Sequence, residues 1–119
     1  MTSLNLLVIR AADPPRLVEF YTKLGLSFVK ERHESGPAHY SCDTGGSVFE
    51  IYPLTKHGQP TTGTRLGFGV SSLNEVLQEI KRSDSSRVVQ PPQETAWGLT
   101  AVIADPEGHK VELREANAV

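Results

Sequence analysis

The sequence predicts an α+β fold in which two tandem β-α-β-β-β modules form a curved, half-open mixed β-barrel with the helices outside. Three observations support this prediction. The same order of strand and helix patterns occurs twice, a polar segment rich in glycine and proline at residues 56–63 separates the two copies, and each copy ends in a strand that carries a glutamate. A duplicated module that cannot bury its apolar face alone is expected to pack its sheet against the other copy.

Length and composition favour one domain over residues 1–119, with module 1 at about 1–55 and module 2 at about 64–119. The net charge of −2, without a basic stripe, argues against nucleic acid as the main partner. No apolar run approaches a membrane span, and no signal-peptide pattern opens the chain, so we expect a cytoplasmic protein. Because Cys42 is the only cysteine, an intrachain disulfide is excluded, and we interpret Cys42 as a half-buried strand residue.

The first module begins with an apolar run, residues 4–10, which predicts a buried strand. Asp13 is predicted to cap a helix because it precedes Pro14, a residue suited to the first helical turn. Apolar residues at helical spacing follow, and Gly25 is predicted to end the helix as its C′ residue. Three strands are then predicted at residues 26–33, 38–43 and 47–52.

The second module repeats this order after the linker. A strand is predicted at residues 65–70, and Ser72 with Glu75 forms a capping box for a helix that ends near Ser83. Val88 and Val89 predict a short strand, which Pro91 and Pro92 are expected to interrupt. The last two strands are predicted at residues 97–104 and 109–114.

The repeat also predicts which residues are equivalent. Aligning the caps Asp13 and Ser72 gives an offset of 59 and places Leu6 opposite Arg65, whereas the final strands pair Glu50 with Glu112 at an offset of 62. Alternation along the strands then turns one apolar set towards the helices: Leu7, Ile9, Phe49, Ile51, Leu66, Phe68, Val111 and Leu113. The opposite set, Leu6, Glu50, Arg65 and Glu112, is predicted to converge inside the barrel.

Several motifs together resemble one known family. They are the Ile9-Arg10…Asp13…Phe20-Tyr21…Leu24-Gly25-Leu26…Phe28 opening, the Glu50 strand, the Trp97-Gly98 step and the Asp105-Pro106…Gly108…Glu112-Leu113 ending. In this the chain resembles the glyoxalase, bleomycin-resistance and extradiol-dioxygenase superfamily, the vicinal oxygen chelate fold. The resemblance covers nearly the whole chain. It implies paired β-α-β-β-β modules and, in most relatives, a homodimer.

The resemblance also implies where a metal ion would bind. In metal-dependent relatives the ligands, often two His and one or two Glu, come from the first and last strands of each module; here those positions are Leu6, Glu50, Arg65 and Glu112. Only the two carboxylates are donors, because Leu6 has no lone pair and Arg65 is a permanent cation. We therefore expect no stoichiometric Zn, Ni or Fe. Arg65 either bridges the two carboxylates or lies at the rim.

Other polar residues are weaker candidates. His39 is a hydrogen-bonded strand residue or, with Glu50 and Glu112, part of a metal site. His33 is interpreted as a hydrogen-bonded or surface residue, His109 as facing the helix side or the strand end, and His57 as solvated. Trp97 either offers a flat surface at the cavity mouth or plugs the barrel end. The residues expected to contact a substrate are Arg10, His39, Tyr40, Arg65 and Trp97.

Three functions are consistent with these features. The first is a small-molecule binding protein without a catalytic transition metal, like bleomycin-resistance relatives. The second is a lyase or ring-cleaving dioxygenase that depends on a divalent metal (Zn, Ni, Fe or Mn) and uses Glu50 and Glu112 as catalytic groups. The third is a non-catalytic protein-interaction module. The absence of a phosphate loop or a Ser-His-Asp arrangement argues against nucleotide-dependent and hydrolytic enzymes.

Overall fold

Each half of the chain builds a four-stranded mixed sheet, as the repeat predicts. The computed structural model describes residues 1–116, which divide into two compact units on either side of the Thr61–Thr62 bond. Two helices and eight strands make up this α+β fold. The division falls inside the predicted linker. The half-open barrel stays a prediction.

Unit 1 contains one helix and four strands. They are β1 (Leu6–Ala11), α1 (Pro14–Thr22), β2 (Val29–Glu31), β3 (His39–Asp43) and β4 (Val48–Pro53). The sheet order is β1-β4-β3-β2, with β1 parallel to β4 and the other pairs antiparallel. The connection through α1 allows this parallel pairing, because parallel strands need a long crossover.

Unit 2 repeats the topology of unit 1. Its elements are β5 (Arg65–Gly69), α2 (Leu73–Ser83), β6 (Val88–Thr95), β7 (Gly98–Ala104) and β8 (Lys110–Glu115), with a short 3-10 turn at Ser85–Arg87. The sheet order is β5-β8-β7-β6, and β5 is parallel to β8. Val8 pairs with Glu50 in unit 1, and Gly67 pairs with Glu112 in unit 2. The pairing thus reproduces both predicted offsets.

The helix starts follow the predicted caps. The Asp13 carboxylate accepts a hydrogen bond from the backbone N–H of Arg16, and the Ser72 hydroxyl accepts one from that of Glu75. Of the eight residues predicted to face the helices, all are buried except the half-buried Leu7 and Phe68. The apolar sides of α1 and α2 contribute further buried residues: Leu17, Phe20, Tyr21, Leu73, Leu77 and Ile80.

Three predicted boundaries were wrong. Helix α1 has its C-cap at Lys23, so Gly25, with φ of 98°, lies one residue beyond the C′ position. Strand β2 is only three residues long. Strand β6 continues through Pro91 and Pro92, because it lies at the edge of its sheet, where a missing N–H removes no bond from a neighbouring strand. Register shifts between Val88 and Gln93 accommodate the prolines.

No described helix has the length and apolar composition needed to span a membrane.

Candidate functional sites in the two units

In unit 1 a group of aromatic and charged side chains covers the sheet face opposite the apolar one. The imidazole of His39 stacks on the ring of Tyr52, with centroids 4.1 Å apart and planes 6° apart. The guanidinium carbon of Arg10 lies 5.7 Å from the centroid of the same Tyr52 ring. We call this group, with Glu31, His33 and Glu50, the His39 cluster.

Two carboxylates flank the buried imidazole of the His39 cluster. The Nε2 atom of His39 lies 3.3 Å from Oε1 of Glu31 and 3.4 Å from Oε2 of Glu50. Cross-strand pairing causes this arrangement, because Glu31 pairs with His39 and Glu50 occupies the neighbouring strand. His33 adds a second imidazole, with Nε2 at 3.7 Å from Oε1 of Glu31. His39 and Glu50 therefore lie close together, which was one of the alternatives that the sequence left open.

Tyr40 and Cys42 lie on the other face of the same strand. Tyr40 pairs with Ile51 and Cys42 with Phe49, both of which are buried core residues. Tyr40 therefore does not join the His39 cluster, although the sequence grouped it with His39 as a substrate-binding residue. Burial raises the pKa of the Cys42 thiol, and the nearby Asp43 carboxylate raises it further, so the thiol stays protonated at neutral pH.

Unit 2 contains a pocket on its β5–β8 face. The pocket has a volume of about 290 Å³ and is lined by Gly67, Phe68, Gly69, Glu112 and Arg114. Gly67 and Gly69 occupy the positions that Val8 and Arg10 hold in unit 1. Because these two glycines have no side chains, the space above the strand pair is open. Neither glycine was predicted as a site residue, although glycine inside a strand is a signal for close approach of a ligand.

Trp97 is connected to this pocket through Arg114, one of the lining residues. The residue is 70% exposed, and the guanidinium carbon of Arg114 lies 6.0 Å from the centroid of its ring. A two-residue loop between β6 and β7 presents the ring, and the Thr95 hydroxyl accepts a hydrogen bond from the Trp97 backbone N–H. We call the lining residues together with Trp97 the Trp97 pocket. An exposed indole offers a flat apolar surface to a ligand.

The sheet in unit 2 places Arg65 and Glu112 on one face, because Arg65 pairs with Lys110 and Gly67 with Glu112. Arg65 is exposed. Within the part of unit 2 that the structure describes, no ion pair joins Arg65 to Glu112. Leu6 and Glu50 likewise share one face in unit 1. The convergence of all four residues in one cavity stays a prediction.

A family model covers most of the chain. The model of the glyoxalase/bleomycin resistance protein/dioxygenase superfamily matches residues 3–113. The chain belongs to this superfamily. Its two β-α-β-β-β modules, each with the first strand parallel to the last, fit that assignment.

Solved structures with this fold cover almost the full chain. TioX from Micromonospora sp. ML1 is 22% identical, with a TM-score of 0.73 and coverage of 98% of this chain and 100% of TioX. TnmS3, an antibiotic binding protein from Streptomyces sp. CB03234, is 16% identical, with a TM-score of 0.73 and 98% of each chain covered. A virulence protein from Salmonella typhimurium is 22% identical, with a TM-score of 0.72 and 98% of each chain covered. No curated protein matches the sequence significantly.

The superfamily's usual metal positions do not fit a transition metal in this chain. Two of the four positions are Leu6, an aliphatic side chain, and Arg65, a cation that would repel the ion. The remaining donors, Glu50 and Glu112, are both carboxylates, which alone select poorly for Zn, Ni or Fe. Among the described residues, Glu31, His33 and His39 form a different group that could hold a metal ion. Their donor atoms lie within 4.8 Å of one another.

Proposed function

We propose that the protein binds a small planar aromatic molecule in the Trp97 pocket and does so without a transition metal at the superfamily's usual positions. The observation that carries this proposal is an open floor, made by Gly67 and Gly69, together with a lining residue, Arg114, that contacts the exposed indole of Trp97. A volume of about 290 Å³ suits a compact ligand or one part of a larger one.

The polar groups of the pocket indicate the chemistry of the ligand. The Glu112 side chain is half-buried and has no hydrogen-bond or ion-pair partner among residues 1–116. Arg114, by contrast, lies over the Trp97 ring. A ligand that stacks on the indole and donates a hydrogen bond from an amine or amide group would satisfy Glu112. We therefore infer a planar aromatic ligand with a donor group.

Fold neighbours give independent support for small-molecule binding. TnmS3, which shares the fold, is described as an antibiotic binding protein. Sequestration of a small molecule needs a pocket but no reactive metal, which agrees with the leucine and arginine at the superfamily's metal positions. The alternative of a metal-dependent lyase or dioxygenase that uses Glu50 and Glu112 lacks imidazole donors at these positions. In our proposal the chain acts in the cytoplasm as a homodimer, and sedimentation equilibrium would test the dimer.

Filling the pocket is expected to weaken binding without unfolding the protein. In Gly67→Val the new Cβ would meet its nearest neighbour, the Glu112 carbonyl oxygen, at 4.0 Å, so the side chain has room and extends into the pocket. Valine also suits a strand. Calorimetric titration with 2-naphthylmethylamine, a planar aromatic cation, should show at least a tenfold loss of affinity in Gly67→Val. Trp97→Ala should lose about tenfold, the upper range of one aromatic contact.

The matched control is Gly63→Val. An added Cβ at Gly63 meets no atom within 4 Å, and Gly63 does not line the pocket. This variant should bind the amine like the wild type, and 2-naphthoate, the same ring with a carboxylate, should bind more weakly because Glu112 repels it. Equal affinity in Gly67→Val and Gly63→Val, or no binding of the amine by the wild type, would contradict the proposal.

A further inference from the structure

We propose that Glu31, His33 and His39 form a binding site for one divalent transition metal ion, with Zn²⁺ as the reference ion. The site lies in unit 1, on β2, β3 and the segment that joins them. None of its three ligands lines the Trp97 pocket or occupies one of the superfamily's usual metal positions, although Glu50, which does occupy one, lies near His39. It therefore goes beyond the proposed function and does not depend on it.

The separations between the donor atoms match those around a single ion. Zinc binds imidazole nitrogen and carboxylate oxygen at about 2.0–2.2 Å, so neighbouring donors in a tetrahedral site are about 3.3–3.6 Å apart. Oε1 of Glu31 lies 3.3 Å from Nε2 of His39 and 3.7 Å from Nε2 of His33. All three donors lie within 4.8 Å of one another. Small side-chain rotations would bring them to one centre.

His39 provides an independent observation that points to a ligand. Its side chain is 1% exposed, and its Nε2 atom has no hydrogen-bond partner among the described residues. The other ring nitrogen, Nδ1, lies 3.2 Å from the carbonyl oxygen of Pro37. Because a carbonyl oxygen only accepts, Nδ1 carries the proton of the neutral ring. The Nε2 lone pair then faces the carboxylates of Glu31 and Glu50.

This arrangement is unfavourable without a cation. A lone pair directed at two carboxylates in a buried position is repelled by both, and neither carboxylate can donate a hydrogen bond to it when ionised. A metal ion at this point would accept electron density from Nε2 and neutralise the Glu31 charge. The Nδ1 contact to Pro37 is the outer-shell hydrogen bond that metal-binding histidines commonly make, and it fixes the ring orientation.

The donor set also indicates the class of ion. Two imidazoles and one carboxylate favour Zn²⁺, Ni²⁺ or Co²⁺ over Mg²⁺ and Ca²⁺, which prefer oxygen ligands. Glu50, with Oε2 at 3.4 Å from Nε2 of His39, lies where it can complete the coordination or accept a hydrogen bond from a metal-bound water. The His33 side chain is 71% exposed, so an ion can reach the site from solvent.

Zinc titration of untagged, chelator-treated protein tests this proposal. Calorimetry should show one Zn²⁺ per chain, with an affinity reduced at least tenfold in His33→Ala and in Glu31→Gln. His33 is exposed and Glu31 is one-third exposed, so neither substitution should unfold the protein. His39→Gln is a third variant, and it changes a buried residue. Mg²⁺ should bind at least a hundredfold more weakly than Zn²⁺.

Two control variants separate this site from other sources of binding. His57 is an exposed histidine outside the cluster, so His57→Ala should keep the wild-type affinity. Glu112→Gln should also keep it, and a loss there would place the ion at the superfamily's positions and overturn the proposal. If no stoichiometric zinc binds, the proposal is wrong. Nitrogen-15 NMR spectra at pH 7 that show both ring nitrogens of His39 protonated would then identify a proton as the group between His39 and the carboxylates. Gly67→Val should bind zinc normally, so the two proposals can fail separately.

Discussion

Asp105→Ala is expected to lower the free energy of unfolding by about 3–5 kcal/mol, because several buried hydrogen-bond donors lose their shared acceptor. One carboxylate oxygen, Oδ1, accepts hydrogen bonds from the backbone N–H groups of Glu107, Gly108 and His109 at 2.9–3.0 Å. The other, Oδ2, lies 2.9 Å from Nδ1 of His109. Both Asp105 and His109 are fully buried. Alanine would leave three N–H groups and an imidazole without this partner.

Thermal and urea unfolding of three variants would measure this effect. For a chain of this length, about 3 kcal/mol corresponds to a fall in Tm of roughly 10 °C. Asp105→Asn keeps an oxygen acceptor for the turn but loses the charge, so its effect should be intermediate. Asp43→Ala is the control, because Asp43 is exposed and its carboxylate accepts one backbone bond, from Gly45, so we expect a loss of about 1 kcal/mol. Equal losses in Asp105→Ala and Asp43→Ala would disprove the structural role of Asp105.

The order of elements could be predicted from the sequence because local chemistry encodes it. Asp13 and Ser72 are side chains that cap helices, and both caps are present at the predicted positions. The same applies to the alternation that buries Phe49, Ile51, Val111 and Leu113. These signals need only neighbouring residues, so a single sequence is sufficient to detect them.

The extent of β6 could not be predicted, because it depends on where the strand lies in the sheet. Pro91 and Pro92 would end a central strand, which needs hydrogen bonds on both sides. Strand β6 pairs only with β7, so the prolines are tolerated. The prolines alone are equally compatible with an edge strand and with a break in the strand, and only the assembled sheet decides between the two.

The candidate sites were predicted in part. Alternation turned Glu50 to the inner face, and proximity of His39 to Glu50 was one of two alternatives left open. Glu31 joins them only because β2 pairs with β3 in a particular register. Tyr52 was interpreted as the end of a strand, although it has the same parity as Glu50 and its ring stacks on His39. Trp97 and Glu112 were candidates, but the floor made by Gly67 and Gly69 was missed because these residues have no side chains.

The hairpin loop that presents Trp97 depends on Gly98. This residue has φ of 128°, a conformation that side chains disfavour, and an added Cβ would lie 2.4 Å from the carbonyl oxygen of Glu115 on the neighbouring strand β8. That oxygen belongs to the backbone of a paired strand, so it cannot move aside cheaply. The carbonyl oxygen of Gly98 also accepts a hydrogen bond from the Thr95 hydroxyl at 2.7 Å, which closes the loop.

Gly98→Ala is therefore expected to lower the free energy of unfolding by about 2–5 kcal/mol, the sum of backbone strain and overpacking. Gly69→Ala is the matched control, since its new Cβ would stand 4.0 Å from the Arg114 carbonyl oxygen on the same strand β8, and its φ is not positive. We expect this variant to lie within about 0.5 kcal/mol of the wild type or to be more stable. Urea unfolding gives both values. Because Trp97 is the only tryptophan in the sequence, its fluorescence reports on the loop directly. If Gly98→Ala has the spectrum and the stability of the wild type, the loop does not need glycine.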